Sequence, residues 1–150
     1  MRLVSLQNLA DRQAITDVFN RFVDALDYKR WGDLDEMFEP DATASWFKNQ
    51  WSQNGRREII PFIRSWVEQV KTHHVLGNYV ASIDGDTATG SCRVRAHHAG
   101  TGDRAHLFEE TLGIFSARFV RRGDDWRITH FSEELLVMLG TFDVFGPRDR

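Results

Sequence analysis

Residues 72–98 read THHVLGNYVASIDGDTATGSCRVRAHH, and this stretch decides the fold. Asp84-Gly85-Asp86 is a strong hairpin turn signal, and it lies between two segments that are long enough to form strands. The pattern predicts two antiparallel strands, over Thr72–Ile83 and Thr87–His98.

Two more strands are predicted after this hairpin. Residues Ala99–Asp103 contain two glycines and form a loop before a third strand over Ala105–Val120. The sequence Arg122-Gly123-Asp124-Asp125 then turns the chain into a fourth strand, over Trp126–Leu139. The second half of the chain is therefore predicted to be a four-stranded antiparallel meander.

Helical patterns dominate the first half of the chain. Residues 11–28 carry apolar side chains at i, i+3 and i+4 spacing, with Asp11 as a plausible N-cap. Pro40-Asp41 is expected to stop the second helix. The predicted elements are helices over 11–28, Trp31–Phe38 and Arg56–Val70, and a first strand over Ala42–Phe47.

Helices followed by long strands define an α+β order. A twisted sheet that three helices cover only in part keeps a pocket on its concave face. We expect one domain over residues 1–150. The loop Lys48–Gly55 is a candidate lid, and the tail is expected either to cross the pocket mouth with Phe142 and Phe145 or to be a loose end.

Composition excludes several classes of protein. Hydrophobic residues make up 41% and charged residues 27%, which is typical of a globular domain. The net charge is −3 and no basic stripe is present, so we expect no nucleic-acid partner. A single cysteine, Cys92, excludes an internal disulfide and a zinc site built on cysteines. Met1–Ala10 lack a cleavage-like signal and no segment reaches membrane-spanning length, so a cytoplasmic location is expected.

Asp27 is the first candidate for chemistry. It closes the first helix and, at 100° per residue, lies beside Val23 on the flank of the apolar stripe, whereas Asp24 projects to water. A carboxylate that reaches the interior is costly without a partner. A histidine would be a suitable partner for it.

Two histidines are the next candidates. Alternation in the second meander strand places His98 on the apolar face with Val94 and Ala96, and His97 on the other face. His74 begins the first meander strand, where both faces are mixed, so alternation decides its orientation less well.

Asp27, His74 and His98 together suggest proton transfer. A buried aspartate fixes the tautomer of an imidazole and raises its basicity, which suits a general base. Without a cofactor, such a group can abstract a proton beside a carbonyl and deliver one elsewhere, in an elimination or an isomerisation. The same three residues could instead form a metal triad, although no second ligand cluster supports it. Taken singly, an inward histidine or a helix-end aspartate is more often structural.

Other residues are weaker candidates. Glu109 has the phase to reach the pocket rim, although a salt bridge or a solvated edge explains it as well. His130 follows Trp126 and Ile128 at every second position, so it is expected to point inward; the alternative is that it donates a structural hydrogen bond. Trp46, Trp51 and Trp66 can line a pocket for a flat ligand, or simply pack in the core.

Five short motifs, in their order and spacing, resemble those of the SnoaL-like, scytalone-dehydratase-like branch of the NTF2-like superfamily. They are Phe22-Val23-Asp24-Ala25-Leu26-Asp27, Trp31-Gly32-Asp33-Leu34, Phe38-Glu39-Pro40-Asp41-Ala42, Thr72-His73-His74-Val75-Leu76-Gly77-Asn78 and Gly123-Asp124-Asp125-Trp126-Arg127-Ile128. The resemblance implies a cone-shaped fold, with three N-terminal helices packed on a curved sheet that encloses a pocket. Fold alone does not choose an activity.

The resemblance also implies a set of catalytic residues. The catalytic aspartate of scytalone dehydratases falls on Asp27, and the two catalytic histidines fall on His74 and His98. The implied activity is that of a dehydratase without cofactor or metal. In it a histidine removes a proton alpha to a carbonyl and helps a hydroxyl leave as water, while Asp27 orients one imidazole.

The expected substrate contacts depart from that group. Leu26 and Trp46 occupy the positions of two tyrosines that hold a carbonyl-polarising water, and Gly113 and Phe115 those of a serine and an asparagine. The substrate is therefore expected to differ, and the stabiliser of a developing oxyanion is unassigned. These four residues and Phe131 are the predicted contacts to a small apolar or aromatic, cyclic metabolite.

Three alternatives remain at this point: a ketosteroid-isomerase-like isomerase, a polyketide cyclase, and a non-catalytic module for ligand binding or subunit assembly. We also expect a homo-oligomer, a dimer or a trimer, because such sheets commonly leave an apolar outer face. The candidate residues for that face are Tyr79, Ile83, Leu112 and Ile114.

Overall fold

The computed structural model describes residues 3–148, and within them the chain forms three α-helices and six strands. The ends of the predicted domain, residues 1, 2, 149 and 150, lie outside the described residues. The helices are α1 (Leu6–Asp27), α2 (Leu34–Met37) and α3 (Arg56–Val67). The strands are β1 (Phe38–Trp46), β2 (Trp51–Asn54), β3 (Lys71–Asp84), β4 (Thr87–Ala99), β5 (Phe108–Arg122) and β6 (Asp125–Gly140). Short 3₁₀ turns cover Trp31–Asp33, Gly102–Arg104 and Phe142–Phe145.

The six strands form one sheet in the order β2-β1-β6-β5-β4-β3. Strands β3 to β6 pair antiparallel with their neighbours in the chain, as the predicted meander requires. Strand β6 pairs on its other side with β1, in parallel, and β2 extends the sheet antiparallel to β1. The predicted α+β class, with helices on a curved and mostly antiparallel sheet, is confirmed.

The core lies between α1 and the concave face of the sheet. Helix α1 buries the apolar stripe that its periodicity predicts, including Phe19 and Phe22. The ring of Phe22 packs edge-on against Phe38 and Phe115 and lies 4.8 Å, between ring centroids, from Phe131. These aromatic contacts position the C-terminal end of α1, and with it Asp27, over the sheet.

Asp11 does not cap α1, contrary to the prediction. The helix begins at Leu6, and Ser5 caps it by accepting a hydrogen bond from the backbone N–H of Asn8. Asp11 is buried in the second turn and forms a two-pronged ion pair with Arg121. Hydrogen bonds from Arg121 hold the pKa of Asp11 at about 2. An aspartate near the start of a helix can be a cap or one half of a buried ion pair. Only the position of Arg121 on β5 decides between the two for Asp11.

The boundaries of the shorter elements also differ from the prediction. The second helix ends at Met37, because Phe38 and Pro40 already belong to β1. Pro40 is tolerated there because the pairing of β1 with β6 shifts register between Phe38 and Thr43, where a missing N–H breaks no regular ladder. The predicted loop Lys48–Gly55 contains β2, and α3 ends at Val67 rather than Val70.

Two of the four residues predicted for the outer face of the sheet point inward. Strand β3 shifts register between Gly77 and Val80, and this irregularity reverses its alternation. As a result Tyr79 packs against Phe19 and donates a hydrogen bond to Asn20, and Ile83 packs on the core. The other two candidates, Leu112 and Ile114, are not part of that core. No helix within residues 3–148 combines the length and apolarity needed to cross a membrane.

Candidate active site

A cavity lies between the C-terminal end of α1, helix α3 and the concave face of the sheet. Its volume is about 70 Å³, which is room for several water molecules. Its wall is mostly aromatic and aliphatic, with five polar side chains. The lining residues are Phe22, Leu26, Trp46, Phe47, Phe62, Ile63, Trp66, Val67, His74, Ala96, His98, Glu109, Thr111, Phe115, Glu133, Phe142 and Phe145.

Asp27 pairs with His74 at one side of this cavity. Asp27 is the last residue of α1, and its Oδ1 lies 2.6 Å from Nδ1 of His74. Thr72 donates a hydrogen bond of 2.8 Å to the same oxygen, and the backbone N–H of His74 donates one of 3.0 Å to Oδ2. These bonds tie the end of the helix to the start of β3 and set the orientation of the imidazole.

His98 has its own carboxylate. Nδ1 of His98 lies 2.6 Å from Oε2 of Glu109, and Thr111 donates a hydrogen bond of 2.8 Å to Oε1. His98 and Glu109 are directly paired residues on β4 and β5, so the sheet register places them together. The Glu109 side chain is fully buried. The expected salt bridge is thus present, but deep in the cavity wall and not at a solvated edge.

The two imidazoles face each other across the polar side of the cavity. Their ring centroids lie 6.0 Å apart and the rings are perpendicular. Each ring uses Nδ1 for its carboxylate, and within residues 3–148 neither Nε2 has a hydrogen-bond partner. The neighbouring His97 points to the outer face and contacts Glu110, as alternation predicts. The structure thus brings His74 and His98 to one cavity, and Asp27 lies behind His74 as its hydrogen-bond partner.

Electrostatics in the first pair favours a neutral imidazole. Burial lowers the pKa of His74 below its ordinary value, and it outweighs the opposing effect of Asp27. Burial alone would raise the pKa of Asp27, but the hydrogen bonds and charge of His74 lower it. An ionised Asp27 accepts a hydrogen bond from the Nδ1–H of His74, so the neutral ring keeps its proton on Nδ1 and has a lone pair on Nε2. Nε2 is then available as a base.

Glu133 is a cavity residue that the sequence reasoning missed. It lies on β6 between Trp46 of β1 and Phe115 of β5, both of which line the cavity. Burial, with a smaller contribution from the charge of Glu109, raises the pKa of Glu133 to about 7.

A register shift explains the miss. The pairing of β6 is irregular between Ile128 and His130, and the extra residue reverses the alternation beyond it. Simple counting from Trp126 therefore predicts an inward His130 and an outward Glu133. The structure has the reverse, because His130 lies on the outer side and contacts Thr43. The sequence of β6 alone contains no pattern that predicts this register shift.

Three of the five predicted substrate contacts, Leu26, Trp46 and Phe115, line the cavity. Phe131 does not, because it is fully buried beneath Trp46, with ring centroids 5.4 Å apart. Gly113 does not either, since the space above its Cα is filled by the backbone oxygen of Glu134.

Several aromatic residues around the mouth were also predicted. Trp66 lines the cavity, whereas Trp51 packs behind it with ring centroids 5.6 Å apart. Phe142 and Phe145 of the C-terminal 3₁₀ turn both line the cavity, and Phe145 lies 5.0 Å from the ring of His98. The tail therefore contributes to the cavity wall with Phe142 and Phe145 and is not a loose end.

A metal triad has no geometric support. Within residues 3–148, no group of three or more His, Cys, Asp and Glu side chains is arranged to hold a metal ion. Asp27 and Glu109 each point to Nδ1 of an imidazole. The polar groups form two separate hydrogen-bonded pairs and one further carboxyl, which is an arrangement for moving protons.

Solved structures place this architecture in a known class, the NTF2-like fold. The chain aligns with a provisionally assigned scytalone dehydratase from Novosphingobium aromaticivorans at a TM-score of 0.81 and 18% identity, covering 89% of each chain. It aligns with the LinA-type3 hexachlorocyclohexane dehydrochlorinase from Novosphingobium barchaimii at a TM-score of 0.77 and 16% identity, covering 91% of this chain and 93% of that one. At these identities the likeness establishes the fold.

Sequence similarity then gives the family. The model of the SnoaL-like domain matches residues 7–132, and the chain belongs to that family. A relative with 31% identity over 131 residues is the uncharacterized protein Rv2910c of Mycobacterium tuberculosis, and the match covers 84% of this chain and 86% of the relative. The predicted resemblance to SnoaL-like and scytalone-dehydratase-like proteins is confirmed.

Proposed function

We propose that this protein is a cofactor-independent lyase, a dehydratase that acts on a small cyclic or aromatic metabolite. One observation carries the proposal. Two imidazoles that line an aromatic cavity are each bonded through Nδ1 to a carboxylate at 2.6 Å, and neither Nε2 has a hydrogen-bond partner among the described residues. The names of the solved relatives, a dehydratase and a dehydrochlorinase, refer to eliminations and agree with this chemistry.

The proposed roles follow from the hydrogen bonds. Neutral His74, held by Asp27, removes the proton alpha to a substrate carbonyl. The electron pair of that C–H bond forms the new carbon–carbon double bond as the bond to the β-hydroxyl breaks. His98 in its charged form, compensated by Glu109, gives its proton to the leaving oxygen, so the hydroxyl departs as water. Exchange with solvent resets both rings.

The aromatic wall supports a planar, cyclic substrate. Trp46, Trp66 and Phe115 present flat faces to a ligand, and ring stacking favours planar cyclic molecules. Because most of the lining is apolar, a charged substrate would lose its hydration without compensation. A neutral ring that carries one carbonyl and one hydroxyl fits both conditions.

The test is a panel of cyclic β-hydroxy ketones, with mass spectrometry to detect the loss of one water. For an active compound, His74→Ala and His98→Ala should each reduce turnover by about 10²- to 10⁴-fold while circular dichroism shows an unchanged fold. His97→Ala is the matched control, because His97 also contacts a glutamate but lies on the outer face with a side chain 42% exposed.

His97→Ala should retain wild-type turnover. Full turnover in both cavity variants would contradict the proposal. A product of unchanged mass, with deuterium from solvent at the alpha carbon, would replace the dehydratase by an isomerase that uses the same His74.

A further inference from the structure

The cavity holds a carboxyl that the proposed mechanism does not use, that of Glu133. Two carboxyl side chains line the cavity, and their partners differ. Glu109 accepts hydrogen bonds from His98 and Thr111, whereas within residues 3–148 the Glu133 carboxyl has neither a hydrogen bond nor an ion pair. Glu133 is therefore the polar cavity group with no structural task.

The neighbours of Glu133 make its ionisation costly. Trp46 and Phe115 flank it on the two adjacent strands. The titratable groups that face the cavity are Glu109 from β5, His74 from β3 and His98 from β4, with Asp27 of α1 behind His74. Each imidazole already has a carboxylate partner, and α3 and β1 contribute only apolar and aromatic side chains to the cavity.

We infer that Glu133 acts as a neutral carboxylic acid, which donates a hydrogen bond to the carbonyl oxygen of the substrate while His74 removes the alpha proton. This inference rests on the proposed function and supplies the group that stabilises the developing oxyanion, which the proposed roles leave unassigned. Abstraction of an alpha proton places negative charge on the carbonyl oxygen, and a donor in an apolar site stabilises that charge strongly. Leu26 and Trp46 have no hydroxyl with which to do so.

The electrostatics agree with this role. Burial and the charge of Glu109 favour the protonated carboxyl, because two carboxylates in one apolar cavity repel each other. The proton stays on Glu133 in the ground state and is shared with the oxyanion as charge develops. When the hydroxyl leaves, the electron pair of the oxyanion re-forms the carbonyl and the pair on the alpha carbon becomes the new double bond. The electrons of the broken C–O bond depart with the hydroxyl oxygen, which His98 protonates, so Glu133 ends the cycle protonated.

Two measurements that need no turnover test the inference. The first is carbon NMR of protein labelled at the glutamate carboxyl carbon. One signal should titrate near pH 7 in the wild type and be missing from Glu133→Gln. Glu134→Gln is the matched control, since Glu134 is the next residue and pairs instead with Lys48. If the Glu133 signal titrates in the ordinary range of a glutamate, the inference is overturned.

The second measurement uses 1-indanone labelled with carbon-13 at its carbonyl, a ring ketone without a leaving group. Its infrared carbonyl stretch should shift to lower frequency in the wild-type cavity below pH 7 and lose that shift above it. The shift should be independent of pH in Glu133→Gln, whose amide still donates, and absent in Glu133→Ala. A wild-type stretch that stays at its aqueous value, or a shift that survives in Glu133→Ala, overturns the inference.

Turnover gives a third, separate readout. With an active substrate, Glu133→Ala should lower kcat by about 10²- to 10³-fold. Glu133→Gln should retain more activity and lose any alkaline decline near pH 7. If the His74 and His98 variants retain full turnover but the indanone shift behaves as expected, the dehydratase proposal fails while Glu133 stands as a ligand donor.

Discussion

The two imidazole–carboxylate pairs look alike at the cavity but are built differently. Asp27 and His74 are 47 positions apart and join the end of a helix to the start of a strand. His98 and Glu109 are 11 positions apart and face each other on adjacent strands. The Asp27 side chain is 16% exposed and that of Glu109 is fully buried.

This difference separates two tasks. The Asp27 pair also holds the backbone of β3, through the N–H of His74, so it joins layers of the fold. The Glu109 pair adds no such connection and depends on the sheet register alone. Because Glu109 is fully buried and Asp27 is partly exposed, we expect replacement of Glu109 to cost more stability. Because Asp27 sets the tautomer of the proposed base, we expect its replacement to cost more turnover.

The largest expected effect is on turnover. Asp27→Asn should reduce kcat by about 10³-fold, because an amide N–H bonded to Nδ1 of His74 moves the ring proton to Nε2 and removes the base. Glu109→Gln should reduce kcat by about 10²-fold, because it destabilises the charged form of His98. Steady-state kinetics on the same substrate compares the two, with Glu110→Gln as the surface control. A greater loss in Glu109→Gln than in Asp27→Asn would reverse the assigned base and acid.

A smaller effect, in the opposite order, is expected for stability. Glu109→Ala should lower the free energy of unfolding by about 3 kcal/mol, since it leaves His98 and Thr111 without their buried partner. Asp27→Ala should cost about 1–2 kcal/mol, because water can reach the groups it leaves. Urea denaturation measures both. Equal losses would show that burial does not distinguish the pairs.

The smallest effect is on the pH dependence of stability. The pKa of His74 is lower in the folded state than its unfolded value of 6.5, so the unfolded chain binds the proton more readily. The free energy of unfolding should therefore fall as the pH drops below 6.5, by at most about 1.4 kcal/mol per pH unit. Asp27, whose pKa is also lowered, adds a similar loss only below its ordinary value of 3.8.

This pH experiment is clearest in a Glu133→Gln background. The raised pKa of Glu133 has the opposite sign, since its stabilisation is lost as the pH rises from 4.5 to about 7. With Glu133 replaced, adding His74→Asn should reduce the slope of the profile between pH 5 and 7, and the slope that remains is expected from His130, whose pKa burial also lowers. A profile that keeps its slope would mean that another group, and not His74, takes up the proton.

Much of the site was visible in local patterns. The 3.6-residue period of α1 placed Asp27 on the inner flank and Asp24 in water, and alternation on β4 separated His98 from His97. Both inferences need only the geometry of one uninterrupted element. The polar positions that were misjudged, Asp11 and His130, and the one that was missed, Glu133, depend instead on a partner strand or on a shift in register.

The sequence by itself determined the α+β order, the apolar faces of α1 and β4, and the three residues of the proposed proton-transfer centre. Only the tertiary structure decided which carboxylate serves which imidazole, because Asp27 meets His74 through the packing of α1 on the sheet. It also decided that Glu133 faces the cavity. One extra residue before His130 reverses the alternation of β6, and whether a strand accommodates such a residue is set by the strands that pair with it.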